Sequence, residues 1–291
     1  MFFRRCENPK IPITHCKFQG SCNSLEKIDK CRFCRLQRCL QYQLLKKLKV
    51  LDLNRQEILL NCTATKNLSL EDIIVAETKE YQIKPENFQP DFFDWGTVNQ
   101  ISAIGFMRNL EFMKEISMDE SHLLIKPTYI RYLIICNSMR ALCSNREETL
   151  YPDGVDMFPN GIKKFYERSP VLLNKVRCQL LSRMRELKVS YEEFLLLSVL
   201  FICNPAVQNF TEPTRNRISQ QQIFYAKVLY QHCLYNYQNS AHSRYSDLLF
   251  LHNTINRTFC DFGNVLIGFR SAQPQVHIRR LFSDGIDQMM E

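Results

Sequence analysis

The sequence predicts a mainly α-helical protein: a small, basic, cysteine-rich module followed by a large all-helical, layered domain. Three observations predict it. Four cysteines fall in two close pairs between Cys16 and Cys34. The excess positive charge lies at the same end of the chain. Over most of residues 91–291 apolar side chains recur every three or four positions, with few strand signals.

The 291 residues are enough for one large domain, or for a small module and a large one. Residues 1–50 hold 12 Lys/Arg against 3 Asp/Glu, a net of +9, and the other 241 hold 26 against 27, a net of −1. This asymmetry points either to a nucleic-acid-facing end or to a solvated basic face. Thirteen cysteines in a chain whose start, MFFRRCENPK, makes no secretory signal imply a reducing compartment. There the thiols are metal-bound or buried as small apolar groups. The longest apolar run, Phe194 to Cys203, is ten residues. A membrane-crossing helix needs roughly 20, so it reads as a buried core helix and no membrane role is expected.

Within THCKFQGSCNSLEKIDKCRFCRLQRCL, five residues separate Cys16 from Cys22, eight more lead to Cys31, and two separate Cys31 from Cys34. Four thiolates so spaced suit one closed, tetrahedral structural zinc ion. The Cys31–Cys34 pair would bite the metal from the start of a helix that continues as RLQRCLQYQLL. So small a module buries too little core to fold without it. Cys39 reads as packing, Cys6 has no partner at ligand spacing, and the later cysteines fall mostly on apolar helix faces.

Residues 51–90 read as a polar hinge with one short helical pattern, SLEDIIVAETKEY, in which Ser69 and Asp72 stand three apart, close to a capping box. Beyond it the spacing predicts helices from Trp95 to Met113, and from Ser117 onward with Glu120 at the capping position and a break or kink at Pro127. Tyr151 to Gly161, rich in Pro, Gly and Asp, reads as a turn or small hairpin, the one region where a strand is plausible. Further helices are expected at about 162–187, 190–203, 214–239 and 243–269, with Ser190 and Glu193 forming a capping box.

FFRR at Phe2 to Arg5, followed by the four cysteines and CRFCRLQRCL, resembles the second zinc module of nuclear hormone receptors, of the nematode-expanded type. FMRNLEFMKEISMDESHLLIK, Phe106 to Lys126, resembles the family's helix 3 to 5 signature, and SYEEFLLLSVLFICNP the region of helix 8. The resemblance implies a partial DNA-binding domain at 1–50, a hinge at 51–90 and a ligand-binding-type domain at 91–291. In the family a first zinc module carries the recognition helix and precedes FFRR, whereas here Met1 stands there. The expectation is therefore weak, salt-sensitive DNA binding through the phosphate backbone by Arg4, Arg5, Arg32, Arg35 and Arg38.

The resemblance also implies a nuclear transcription regulator, ligand-regulated or constitutive, with one structural Zn2+. A coactivator or corepressor helix would dock between two basic residues, Arg108 and Lys126, and an acidic residue of the last helix, Asp287 or Glu291. Arg108 and Lys126 could equally be solvated surface. A small lipophilic ligand would lie among Phe106, Met107, Leu110, Met139 and Leu142, which could instead simply fill the core. Homo- or heterodimers with another receptor are expected, and a non-DNA-binding dimer partner that titrates cofactors is the alternative. No Gly-rich phosphate loop, HExxH motif or serine elbow occurs, so an enzyme is not expected.

Overall fold

The structure, a computed structural model, describes residues 16–17, 22, 31–65, 67–75, 80–273, 275 and 279–290. Helix α1 spans Arg32–Asn61, with Cys31 at its N-cap. It contains no Gly or Pro, and so runs unbroken through the boundary expected at residue 50. Its buried side chains, Gln41, Leu48, Asp52, Arg55, Ile58 and Leu59, make one stripe that lies against α3 (Phe92–Arg108) and α7 (Tyr191–Ile202). The metal-site segment and the helical body thus share one helix.

After α1, strand β1 (Cys62–Ala64) pairs antiparallel with β2 (Tyr81–Ile83), Thr63 facing Gln82. The chain between them carries α2 (Leu70–Val75). Ser69 and Asp72 cap α2 reciprocally, each side chain accepting from the other's backbone N–H, at 3.0 and 2.8 Å. Of the turn or small hairpin expected over Tyr151–Gly161, the turn is what forms: residues 151–159 are turns with one isolated bridge between Leu150 and Asp156, and Asn160 already opens the next helix. Strands of three residues are too short to leave an alternating pattern, which is why the observed pair is silent in the sequence.

Helix α3 begins at a capping box made by Asp91 and Asp94 and ends at Arg108, short of the expected Met113. Residues Glu111–Glu115 form a separate 3-10 turn. Helix α4 (Met118–Cys143) starts on Ser117, whose hydroxyl accepts from Glu120 N–H. It continues through Pro127, so of the expected break or kink the break does not occur. Interior proline costs roughly 3 kcal/mol, but Leu124, Ile125, Tyr129 and Ile130 on either side are buried and hold the helix in place. The helix expected at 162–187 is two, α5 (Asn160–Phe165) and α6 (Val171–Glu186), separated around Pro170.

Helices α8 (Glu212–Tyr237), α9 (Ala241–Ala272) and α10 (Arg280–Met290) complete the body. α4 touches α2, α3, α6, α7, α9 and α10, so it is the middle of the layered core, with the outer helices packed round it. Ser190 and Glu193 form the predicted capping box of α7. Glu193 also pairs with Arg244 of α9 at 2.5 Å, both groups withdrawn from solvent. Of the later cysteines, Cys62, Cys136, Cys203 and Cys233 are buried, whereas Cys143 and Cys260 are exposed.

Glu120 fastens the start of α4 to that of α8, accepting from the hydroxyls of Thr211 and Thr214 at 2.6 and 2.7 Å. Those bonds pull its carboxyl down to about 2 from an ordinary 4.5. A depressed carboxylate stabilises the fold fully above its unfolded pKa and loses that contribution as pH falls through the folded one. Acid unfolding of the native chain is therefore expected to carry a stability slope between pH 4.5 and 2 that Glu120→Gln reduces, as read by circular dichroism across that range.

Candidate functional site

Cys16, Cys22, Cys31 and Cys34 bring their four sulfurs within 4.8 Å of one another. The Cys16 and Cys22 sulfurs are 3.4 Å apart. Sulfurs held about 2.3 Å from one zinc ion stand about 3.8 Å from each other in a tetrahedron, so the donor set and its span fit that ion. Electrostatics agree. Burial, with the neighbouring thiols, pushes Cys22 up to about 11 and Cys34 higher still. Four thiolates do not coexist in such a place without a cation to offset them. The helix start supplies the second pair: Arg35 N–H bonds Cys31 O at 3.1 Å, which winds the first turn and turns Cys34 inward to 1% exposure. Phe33 and Tyr235 of α8 pack on the cluster, which therefore rests against the helical body.

Of the expected phosphate contacts, Arg4 and Arg5 lie outside the described residues. Arg32 and Arg38 are exposed and Arg35 is half-buried, all on the first two turns of α1. The Arg38 guanidinium stands 5.6 Å from the centre of the Tyr235 ring.

The second candidate region is where α2, α3, α4 and α10 meet. Arg108, at the end of α3, donates from Nη1 to Ile73 O at 3.1 Å. Lys126 is half-buried on α4, and its carbonyl accepts from Gln288 Nε2 of α10. Asp287, one of the two acids expected to face this region, pairs instead with Arg270 of α9 at 2.6 Å. Glu291 lies outside the described residues. The acid that does reach α2 is Asp284, which accepts from Leu70 N–H at 2.7 Å. Sequence reasoning missed Asp284, because its partner is 214 residues away. On its inner face α10 buries Leu281 and Ile286.

Beside this region lies a cavity of about 80 Å³ between the first half of α3, the middle of α4, the Thr149–Phe158 loop, α9 and α10. Its walls are mostly apolar. Asn99 donates to Asn137 Oδ1 at 3.1 Å, while Asn99 Oδ1 and Thr149 Oγ1 are buried with no hydrogen-bond partner. From α10, Phe282, Gly285 and Met289 close one side. None of the five residues named as ligand-lining or core-filling borders this cavity. Phe106 stacks on Tyr132 with ring centres 5.0 Å apart, and Met107 and Leu110 are fully buried core. Leu142 packs half-buried on that core, and Met139 lines a separate space of about 300 Å³ beneath α1, beside Arg55 and Arg140. These five sit near the C-terminal ends of α3 and α4. A helix buried on every side, as α3 is from Trp95 to Ile104, offers no periodic cue to which face looks on a cavity.

A helical body closed by its last helix and led by a four-cysteine site defines a receptor-type transcription regulator, and the family model for the ligand-binding domain of nuclear hormone receptors matches residues 77–264. The chain belongs to the nuclear hormone receptor family, whose members are transcription factors and not enzymes. It is 30% identical to nuclear hormone receptor family member nhr-167 of Caenorhabditis elegans, across 99% of this chain and 90% of that protein. To nhr-27 and nhr-51 of the same organism it is 29% identical, across 98% of this chain and 85% and 83% of theirs. Among the described residues no helix is long and apolar enough to cross a membrane.

Proposed function

We propose that this chain regulates transcription in the nucleus as a receptor in which a small lipophilic molecule sets the position of the last helix. The zinc-held start of α1 supplies contacts to DNA phosphates, and the surface around α10 meets coregulator helices. The observation that carries the reading is that Phe282, Gly285 and Met289 of α10 are themselves wall residues of the cavity. Whatever fills the cavity therefore touches the helix that a coregulator would touch. The unpartnered Asn99 and Thr149 oxygens favour a mainly apolar ligand with at least one hydrogen-bond donor.

A cavity-filling variant tests this. Ser138 lies on the cavity wall, and Ser138→Trp is expected to expel any small molecule that native mass spectrometry finds on the wild-type chain and to change reporter output. Unchanged output from a folded, ligand-free variant would remove the cavity from the mechanism.

A second reading, a dimer partner that acts without binding DNA itself, is favoured by three exposed apolar residues: Ile223 and Phe224 on α8 and Phe250 on α9. Electrophoretic shift with and without a related receptor separates the two. Retardation by the chain alone supports the first, and an effect seen only on the relative's complex supports the second.

A further inference from the structure

Six residues make α2, too few to hold a helix in water without outside contacts. Its sequence, Leu70-Glu-Asp-Ile-Ile-Val75, sets Leu70, Ile73 and Ile74 at the i, i+3, i+4 spacing that makes one apolar face. All three are buried, Ile74 to 1% exposure, while Glu71, Asp72 and Val75 point to solvent. The groove that receives this face is formed by α3, α4 and α10. Both ends of the short helix are gripped by side chains of opposite charge. Asp284 takes the Leu70 N–H at the N-terminus, and Arg108 donates to the Ile73 carbonyl near the C-terminus. That polarity matches the helix dipole, anion at the amino end and cation at the carboxyl end. Asn67 Oδ1 accepts from Arg280 N–H at 3.1 Å, tying the approach to α2 to the start of α10.

We propose that Ser69–Val75 is a built-in occupant of the peptide-docking groove of α3, α4 and α10, and that an external helix with apolar residues at the same spacing enters only by displacing it. The inference rests on the reading that this groove docks coregulator helices. α2 lies on a loop whose two ends are joined by the β1–β2 pair, so it can leave the groove while that pair stays closed, giving up its bonds to Asp284 and Arg108. A tethered competitor acts at an effective concentration in the millimolar range, so if α2 itself binds the groove at about 10 μM, an external peptide appears roughly 100-fold weaker while α2 is docked.

The test uses the full chain and a fluorescently labelled peptide copying residues 67–75, read by anisotropy. The paired change Leu70→Ser with Ile74→Ser in the chain empties the groove. It is expected to tighten peptide binding by at least about tenfold over wild type. Adding Arg108→Glu to that background is expected to remove the gain, because the carbonyl end loses its cation. Equal affinity for wild type and the emptied chain, or indifference to Arg108→Glu, overturns the inference while leaving a groove that binds peptide. No binding by an emptied chain that is folded by circular dichroism overturns the groove reading itself, and α2 is then a strut. Should the paired change unfold the chain, hydrogen exchange of residues 69–75 in wild type decides. Exchange that rises at saturating peptide supports displacement, and exchange that stays constant contradicts it.

Discussion

Gly96→Ala is expected to loosen the last helix without unfolding the body. Gly96 lies in α3 beneath Phe282 of α10, whose ring also packs on Phe92 and Phe93 with centres 5.5 and 5.6 Å away. A methyl group built on Gly96 overlaps the tip of the Phe282 ring, with the next two ring carbons at 2.8 and 3.1 Å. Replacing glycine by alanine inside a helix ordinarily gains about 1 kcal/mol, whereas overpacking costs about 1–3 kcal/mol. Here the overlap wins locally, and the strain falls on α10 because it is the terminal element and the easier to move. Hydrogen exchange across residues 280–290 is expected to rise about tenfold, the equivalent of about 1.4 kcal/mol. Gly105→Ala, in the same helix but with nothing within 4 Å of the new carbon, is the control and is expected to be neutral or stabilising. Equal protection of α10 in both variants would show that Phe282 does not seat on Gly96.

Cys34→Ser is expected to cost the chain its metal and its DNA contact together, while the helical body stays folded. Zinc held by four thiolates contributes about 10–16 kcal/mol to the folding of small modules, and losing a buried ligand forfeits much of it. The effect stops part-way along α1. From Leu48 on, that helix is pinned by its buried stripe against α3 and α7, whereas Arg32–Leu40 rests on the cysteine cluster and on the neighbouring Phe33 and Tyr235. Hydrogen exchange is therefore expected to rise at residues 31–40 and not at 48–61. If Arg32, Arg35 and Arg38 each meet one phosphate, wild-type DNA affinity falls with salt at a logarithmic slope of about −3, and the variant shows little binding at any salt. A fully protected residue 31–40 segment in the metal-free variant would contradict the role given to the ion.

What the sequence disclosed and what it hid divide along physical lines. The cysteine spacings and the caps at Ser69, Ser117 and Ser190 are local, so each is readable over a few residues. The full length of α1 was equally available, since no Gly or Pro interrupts residues 32–61, but the change in charge near residue 50 looked like a boundary. Charge partition and backbone continuity are independent properties. Asp284 was hidden because its value lies in reaching Leu70, a contact that exists only in the folded chain. The walls of the cavity beside α10 were hidden because α3 is buried on every side from Trp95 to Ile104, polar residues included, so periodicity cannot select a face. Pro127 misled in part: of the break or kink it signalled, the break gave way to burial on both sides.

X-ray absorption at the zinc edge of the purified full chain tests most directly whether Cys16, Cys22, Cys31 and Cys34 are one metal site. The expected result is one zinc per chain with four sulfur neighbours at about 2.3 Å and no nitrogen or oxygen among its ligands. A chain that folds with no bound metal, or a zinc ion ligated by fewer than four sulfurs, would contradict it.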